Sequence, residues 1–137
     1  MLNLIDVLHD LMDSPNDFIN FTNKFSNDIS EVMYREFIFK AILDSNLELL
    51  KAMKNANWEF DDININNSLL PCVDISILEF FLEIYSDLSF QDYIKLKWFV
   101  IAIELEQYNK LDLLKSKFIL NQHLELYCKE LLLKQIN

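Results

Sequence analysis

Histidine and cysteine supply most of the nucleophilic and metal-binding chemistry available at neutral pH, and this chain holds two of each: His9, His123, Cys72 and Cys128. The histidines lie at opposite ends, and neither has a partner at the short spacing of a zinc-binding pair. Cys128 follows His123 by five residues, which on a helix turns the two side chains about 140° apart. Carboxylates occur in pairs at Asp61–Asp62 and at Glu104 and Glu106. General acid–base work needs one member of such a pair desolvated in a cleft, and adjacent acids in a polar stretch read as solvated. Asp61, Asn64 and Asn66 are spaced like calcium ligands. A calcium loop also needs a sharp-turn glycine and a bidentate glutamate at its twelfth position, and neither is present. These residues point to no catalytic site, no metal and no cofactor.

The chain has no glycine at all among its 137 residues. That removes the phosphate loop, the dinucleotide fingerprint and the nucleophile elbow together. It also argues against a hairpin-rich β fold, because primed turns need φ > 0. Prolines stand only at Pro15 and Pro71, and 52% of residues are hydrophobic. The economical solution is all-α: a single domain over 1–137, of seven or eight helices joined by Asn, Asp and Ser turns.

The apolar spacing places these helices. Leu4, Leu8, Leu11 and Met12 mark the first. Ser14-Pro15 restarts the chain into a helix with Phe18, Phe21 and Phe25 on one face. Asp28 with Glu31 resembles a capping box before a helix to about Leu43 that buries Val32, Met33, Phe37 and Ala41, with Ile38 a further candidate. Asp44-Ser45-Asn46 turns the chain into a helix from Leu47 to about Ala56. Residues 57–68 read as an ordered loop. Asp74 caps a helix to about Tyr85. The longest helix is expected from Phe90 to about Tyr108, burying Ile94, Trp98, Phe99, Ile101, Ala102 and Leu105. Asn109 then turns the chain into a short helix through Leu111, Leu114 and Phe118. Asn121 caps the last helix, with Leu124, Tyr127, Cys128, Leu131 and Leu132 inward.

Charge is high and uneven. The net charge is −10; residues 1–92 hold 17 acids and 5 bases, and residues 93–137 hold 5 acids and 7 bases. Such a field repels nucleic acid and anionic membranes and steers basic partners. Lys95, Lys97, Lys110, Lys115 and Lys117 are the bases that could form a small positive face. The N-terminus carries Asp6 and Asp10 and no basic run, unlike a signal peptide. No apolar run reaches membrane-spanning length. Cys72 and Cys128 read as buried free thiols. The expectation is a cytoplasmic protein that binds neither nucleic acid nor membrane.

Asn46-Leu47-Glu48-Leu49-Leu50-Lys51 and Lys110-Leu111-Asp112-Leu113-Leu114-Lys115 match at a separation of 64, with Ile75–Phe81 between them. The implied period is near that of helical repeats. The segment 41–57, with Ser68-Leu69-Leu70-Pro71-Cys72 after it, resembles a degenerate ankyrin repeat, and the likeness covers about residues 35–118. It implies stacked helix pairs, although the Thr-Pro-Leu-His entry and the turn glycines are missing.

Trp58, Glu59, Asp61 and Asp62 combine an aromatic with acids on a loop, the composition of an interface hot spot. The alternative is that Trp58 and Phe60 plug the core. Small, glycine-free, acidic and helical, the chain resembles immunity proteins of bacterial toxin–immunity pairs. That resemblance implies a basic protein partner, a toxin nuclease domain, whose cationic surface the acids cover. Trp58, Glu59, Asp61, Asp62, Asp87 and Asp92 are the candidate contacts, with Asp13 and Asp17 as a second cluster. The alternatives are a viral anti-defence or adaptor protein using an acidic face, and a helical-repeat interaction scaffold.

Overall fold

The computed structural model describes residues 3–60, 73–85 and 92–136. Among them are eight α-helices, one short 3-10 helix and no strand, so the all-α expectation holds. The helices are α1 (Leu4–Leu11), α2 (Pro15–Lys24), α3 (Glu31–Leu43), α4 (Leu47–Asn55), α5 (Ile75–Ile84), α6 (Asp92–Glu104), α7 (Tyr108–Lys117) and α8 (Gln122–Ile136). None of them is long and apolar enough to cross a membrane. The chain groups into two compact units, Met1–Asp61 and Asp62–Asn137.

In the first unit α1 packs on α2, and α4 packs on both α2 and α3. The shared core is Leu8, Phe18, Phe37, Ile38, Ala41, Leu49, Leu50 and Met53, each almost wholly buried. A run of rings threads it: His9 lies 5.4 Å from Phe37, Phe37 lies 5.4 Å from Phe18, and Phe18 lies 5.9 Å from Trp58. Such pairs add about 0.5–1.5 kcal/mol each beyond the area they bury. The run therefore ties α1, α2, α3 and the segment after α4 into one cooperative body.

Capping follows the sequence in part. Asn3, Asn46, Asp74 and Asn121 accept the backbone bonds of N-caps. Ser14 stands at the N-cap of α2 with Pro15 at the first helical position, without a side-chain bond. For α3 the cap is Ser30, which accepts from the Met33 amide at 3.3 Å; Asp28 lies in the 3-10 helix Ser26–Asp28. The expected Asp28–Glu31 box does not form, because the extended residue Ile29 separates the two turns. With α3 starting at Glu31, its inner face is Phe37, Ile38, Ala41 and Ile42. Val32, five residues before Phe37, falls about 140° away and is 60% exposed rather than buried.

In the second unit α6 packs on α7 and α8, and α5 packs on α7. Trp98, Phe99, Ala102 and Ile103 of α6 are buried against Leu111, Leu114 and Phe118. The helix ends at Glu104, not near Tyr108, and Asn109 lies inside α7. Leu105 falls in the turn and is 52% exposed. Tyr127 is also exposed, because α8 turns Cys128 inward. Lys95 and Lys110 do not join a positive face: they are only 4% and 6% exposed. The Lys95 ammonium donates to the Ile119 carbonyl at 3.0 Å, and the stem of such a side chain packs as a hydrocarbon.

The two units repeat each other internally. Helices α3 and α6 both have 13 residues and start at Glu31 and Asp92, 61 apart. Helices α4 and α7 start at Leu47 and Tyr108, again 61 apart. Buried positions agree at this offset: Phe37 with Trp98, Ile38 with Phe99, Ala41 with Ala102, Ile42 with Ile103, Leu50 with Leu111, Met53 with Leu114. The register is thus 61, not the 64 of the Leu-Leu-Lys match. The buried side chains, not the look of one motif, set it. The caps do not follow this register: Asn46 matches Gln107, which stands at the N-cap of α7 without a side-chain bond. Asn46 caps α4 and donates to the Met12 carbonyl at 3.0 Å; Asn121 caps α8 and donates to Asp92 Oδ2 at 3.3 Å.

Among the described residues three turns carry positive φ without glycine: Ser45 at 53°, Asn57 at 64° and Glu106 at 57°. Each stands just past a helix end. In each case the next amide bonds back five residues: Asn46 to Ala41 at 2.9 Å, Trp58 to Met53 at 3.0 Å, Gln107 to Ala102 at 2.9 Å. This is the Schellman closure, where glycine is the usual choice. A side chain there costs roughly 1–2 kcal/mol, least for asparagine. Glu106→Gly should therefore raise the unfolding free energy by about 0.5–1 kcal/mol, and Asn57→Gly by less. Urea unfolding checks both, and a destabilised Glu106→Gly would overturn the strain assignment.

Candidate functional site

A cleft of about 380 Å³ opens in the first unit, lined by Asn23, Glu31, Tyr34, Arg35, Ile38 and the segment Ala56–Glu59. Its walls have local causes. Ser30 starts α3, so Glu31, Tyr34 and Arg35 fall at i, i+3 and i+4 on one helix face. The left-handed turn at Asn57 folds the chain back across that face. Trp58 then meets Tyr34 edge-on, with ring centroids 4.8 Å apart and planes at 89°. Its other neighbour is Phe18, in the core. Trp58 is thus half-buried, anchored on one side and presented on the other, and Glu59 beside it is exposed. Trp58 packs on the core at Phe18 and also lines the opening.

The other candidate contacts divide. Asp13 and Asp17 are exposed, Asp13 in the turn after α1 and Asp17 in the first turn of α2, next to Phe18. Asp92 is exposed at the start of α6 in the second unit and accepts from Asn121, which makes it a tie between α6 and α8. Asp61, Asp62 and Asp87 lie outside the described residues. Sequence reasoning missed Glu31, Tyr34, Arg35 and Asn57. The signal that could have found the first three is their spacing on one helix. For Asn57 it is an Asn two residues beyond the last helical Asn55, where a left-handed stop belongs.

A second cavity, of about 390 Å³, lies in the second unit. Phe99, Leu111, Phe118, Cys128 and Leu132 make it apolar, with Lys115, Glu125 and Lys129 also among its lining residues. Lys129 pairs with Glu125 at 3.5 Å. Burial pushes the Cys128 thiol above its ordinary value, and the Lys115 charge pulls it partly back. A raised thiol is a poor nucleophile at neutral pH, because the thiolate is the attacking species. Among the described residues no three His, Cys, Asp or Glu side chains are grouped to hold a metal. The cleft of the first unit brings together aromatic surface, carboxylates and amides.

No known protein family, characterised protein or solved structure matches this chain.

In a Cys72→Ser background, Cys128 should react with a disulfide reagent at pH 8 roughly tenfold more slowly folded than in urea. The neutral thiol's contribution to stability is complete below the ordinary value of 9.0 and is lost as pH rises past it. Equal rates folded and unfolded would contradict the burial assigned to this thiol.

Proposed function

We propose that this chain is a non-catalytic, acidic binding protein that neutralises a basic protein, of the kind found in toxin–immunity pairs, by covering its cationic surface. The single observation that carries the reading is Trp58, anchored on Phe18 and presented beside Glu59 at the rim of an open cleft. Aromatic anchors of this kind dominate protein interfaces, because they bury large area with little entropy lost. Charge supports it. Residues 1–61 hold 11 acids and 5 bases, a field that accelerates encounter with a positive surface. A nuclease is the favoured partner class, since a surface that binds nucleic acid is densely positive.

One observation favours a second reading. Val32, Phe39 and Leu43 are exposed along α3 at 60%, 39% and 51%, an apolar stripe suited to a repeat scaffold. The two readings respond oppositely to salt, which screens exposed charges within about 3 Å at 1 M.

The experiment is retention on immobilised protein, eluted with a salt gradient, followed by an activity assay of what is retained. The expected outcome is one basic protein, released well below molar salt and blocked at equal molarity by this chain. Trp58→Ala and Glu59→Lys should each weaken the complex by at least tenfold, roughly 1.4 kcal/mol. A partner held at molar salt, and lost on Phe39→Asp instead, would reject charge neutralisation and establish the scaffold.

A further inference from the structure

The internal repeat allows the cleft to be compared with its counterpart. At the 61-residue offset Lys95 stands where the first unit has Tyr34, and Ile119 stands where it has Trp58. In the second unit that place is filled by the chain's own cation. The Lys95 ammonium is held by the Ile119 carbonyl at 3.0 Å and lies 5.7 Å from the centroid of the Phe118 ring. In the first unit no lysine occupies position 34. Tyr34 and Trp58 meet edge-on instead, and the cleft they line is open, with Glu31 and Glu59 also lining it. The second unit places a lysine ammonium there; the first lines the same place with the Tyr34 and Trp58 rings, the Glu31 and Glu59 carboxylates and the Arg35 guanidinium.

We propose that the cleft of the first unit is a receptor for a cationic side chain, and that arginine is the residue it takes. This rests on the binding-protein reading and names the group the partner inserts. The space, about 380 Å³, equals roughly a dozen waters, enough for an extended arginine with bridging solvent. A planar guanidinium stacks on an aromatic face and forks onto a carboxylate, whereas an ammonium is a compact, strongly hydrated point charge. Arg35 lines the same cleft, one helical turn after Glu31. Two carboxylates against one guanidinium leave the lining net negative.

The test is a titration of the full chain with N-acetyl-arginine N-methylamide, followed by the indole N–H resonances of Trp58 and Trp98. Trp98 is wholly buried in the second unit and reports that each variant is folded. The expected result is a saturable shift of the Trp58 indole alone. The lysine analogue should bind at least threefold more weakly. Glu59→Gln should weaken arginine binding by about threefold or more, and Arg35→Gln should tighten it. Two results would overturn the proposal: no Trp58 shift up to about 100 times the protein concentration and beyond into the tens of millimolar, or an equal shift with N-acetyl-glutamate N-methylamide that Arg35→Gln abolishes, which would make this an anion site. The two readings fail separately. Saturable arginine binding by a chain that retains no basic protein would sink the inhibitor reading and leave the cleft standing. A basic partner retained, released by salt and weakened by Trp58→Ala, with no probe shift, would do the reverse.

Discussion

A chain without glycine must still reverse direction, and the way it does so governs the rest of this structure. Ser45, Asn57 and Glu106 accept left-handed backbone angles despite their side chains. Each turn recovers its strain by satisfying helix-end carbonyls that would otherwise lack partners. At Ser45 and Glu106 the return makes an antiparallel helix pair. At Asn57 the same closure delivers Trp58 onto Phe18 and Tyr34. The cleft is therefore a by-product of the device that builds the fold.

Packing then decides what the turns enclose. In the first unit the rings of His9, Phe37, Phe18 and Trp58 form a continuous path from α1 to the rim of the cleft. Full burial of a large apolar side chain is worth about 1.5–3 kcal/mol, while an exposed ion pair such as Lys40–Asp44 contributes at most about 0.5 kcal/mol. The rigidity of the presented Trp58 comes from the core beneath it. The charges around it act at a distance on an approaching partner and do little for the fold. Repeat-related positions show how freely chemistry varies on a fixed frame. Leu49 and Lys110 occupy equivalent buried sites, one as a hydrocarbon and the other by burying a stem that carries an amine.

Much of the architecture was legible in the residues alone. The missing glycines and the apolar spacing of Leu8, Phe18, Phe37 and Leu50 called for helices, and the caps Asn46, Asp74 and Asn121 stand where their side-chain chemistry places them. Errors gathered at helix ends. A Glu in a left-handed turn looks like any other helical Glu, so no residue type marks the stop after Glu104, and the helix expected from Phe90 to Tyr108 runs past it. Val32 lies off the inner face of α3 by its spacing, five residues and about 140° from Phe37, and its apolar character did not bury it.

The sequence by itself determined the helical class, the acidic field and the presence of an aromatic–acid segment at Trp58 and Glu59, because composition and short-range spacing carry those properties. Only the tertiary structure decided that Tyr34, 24 positions earlier, meets Trp58, that the chain's single arginine shares their cleft, and that Lys95 is an internal cation rather than part of a positive face. Each of those depends on which side chains a turn brings together across the unit. That is set by the packing of whole helices, and no local pattern records it.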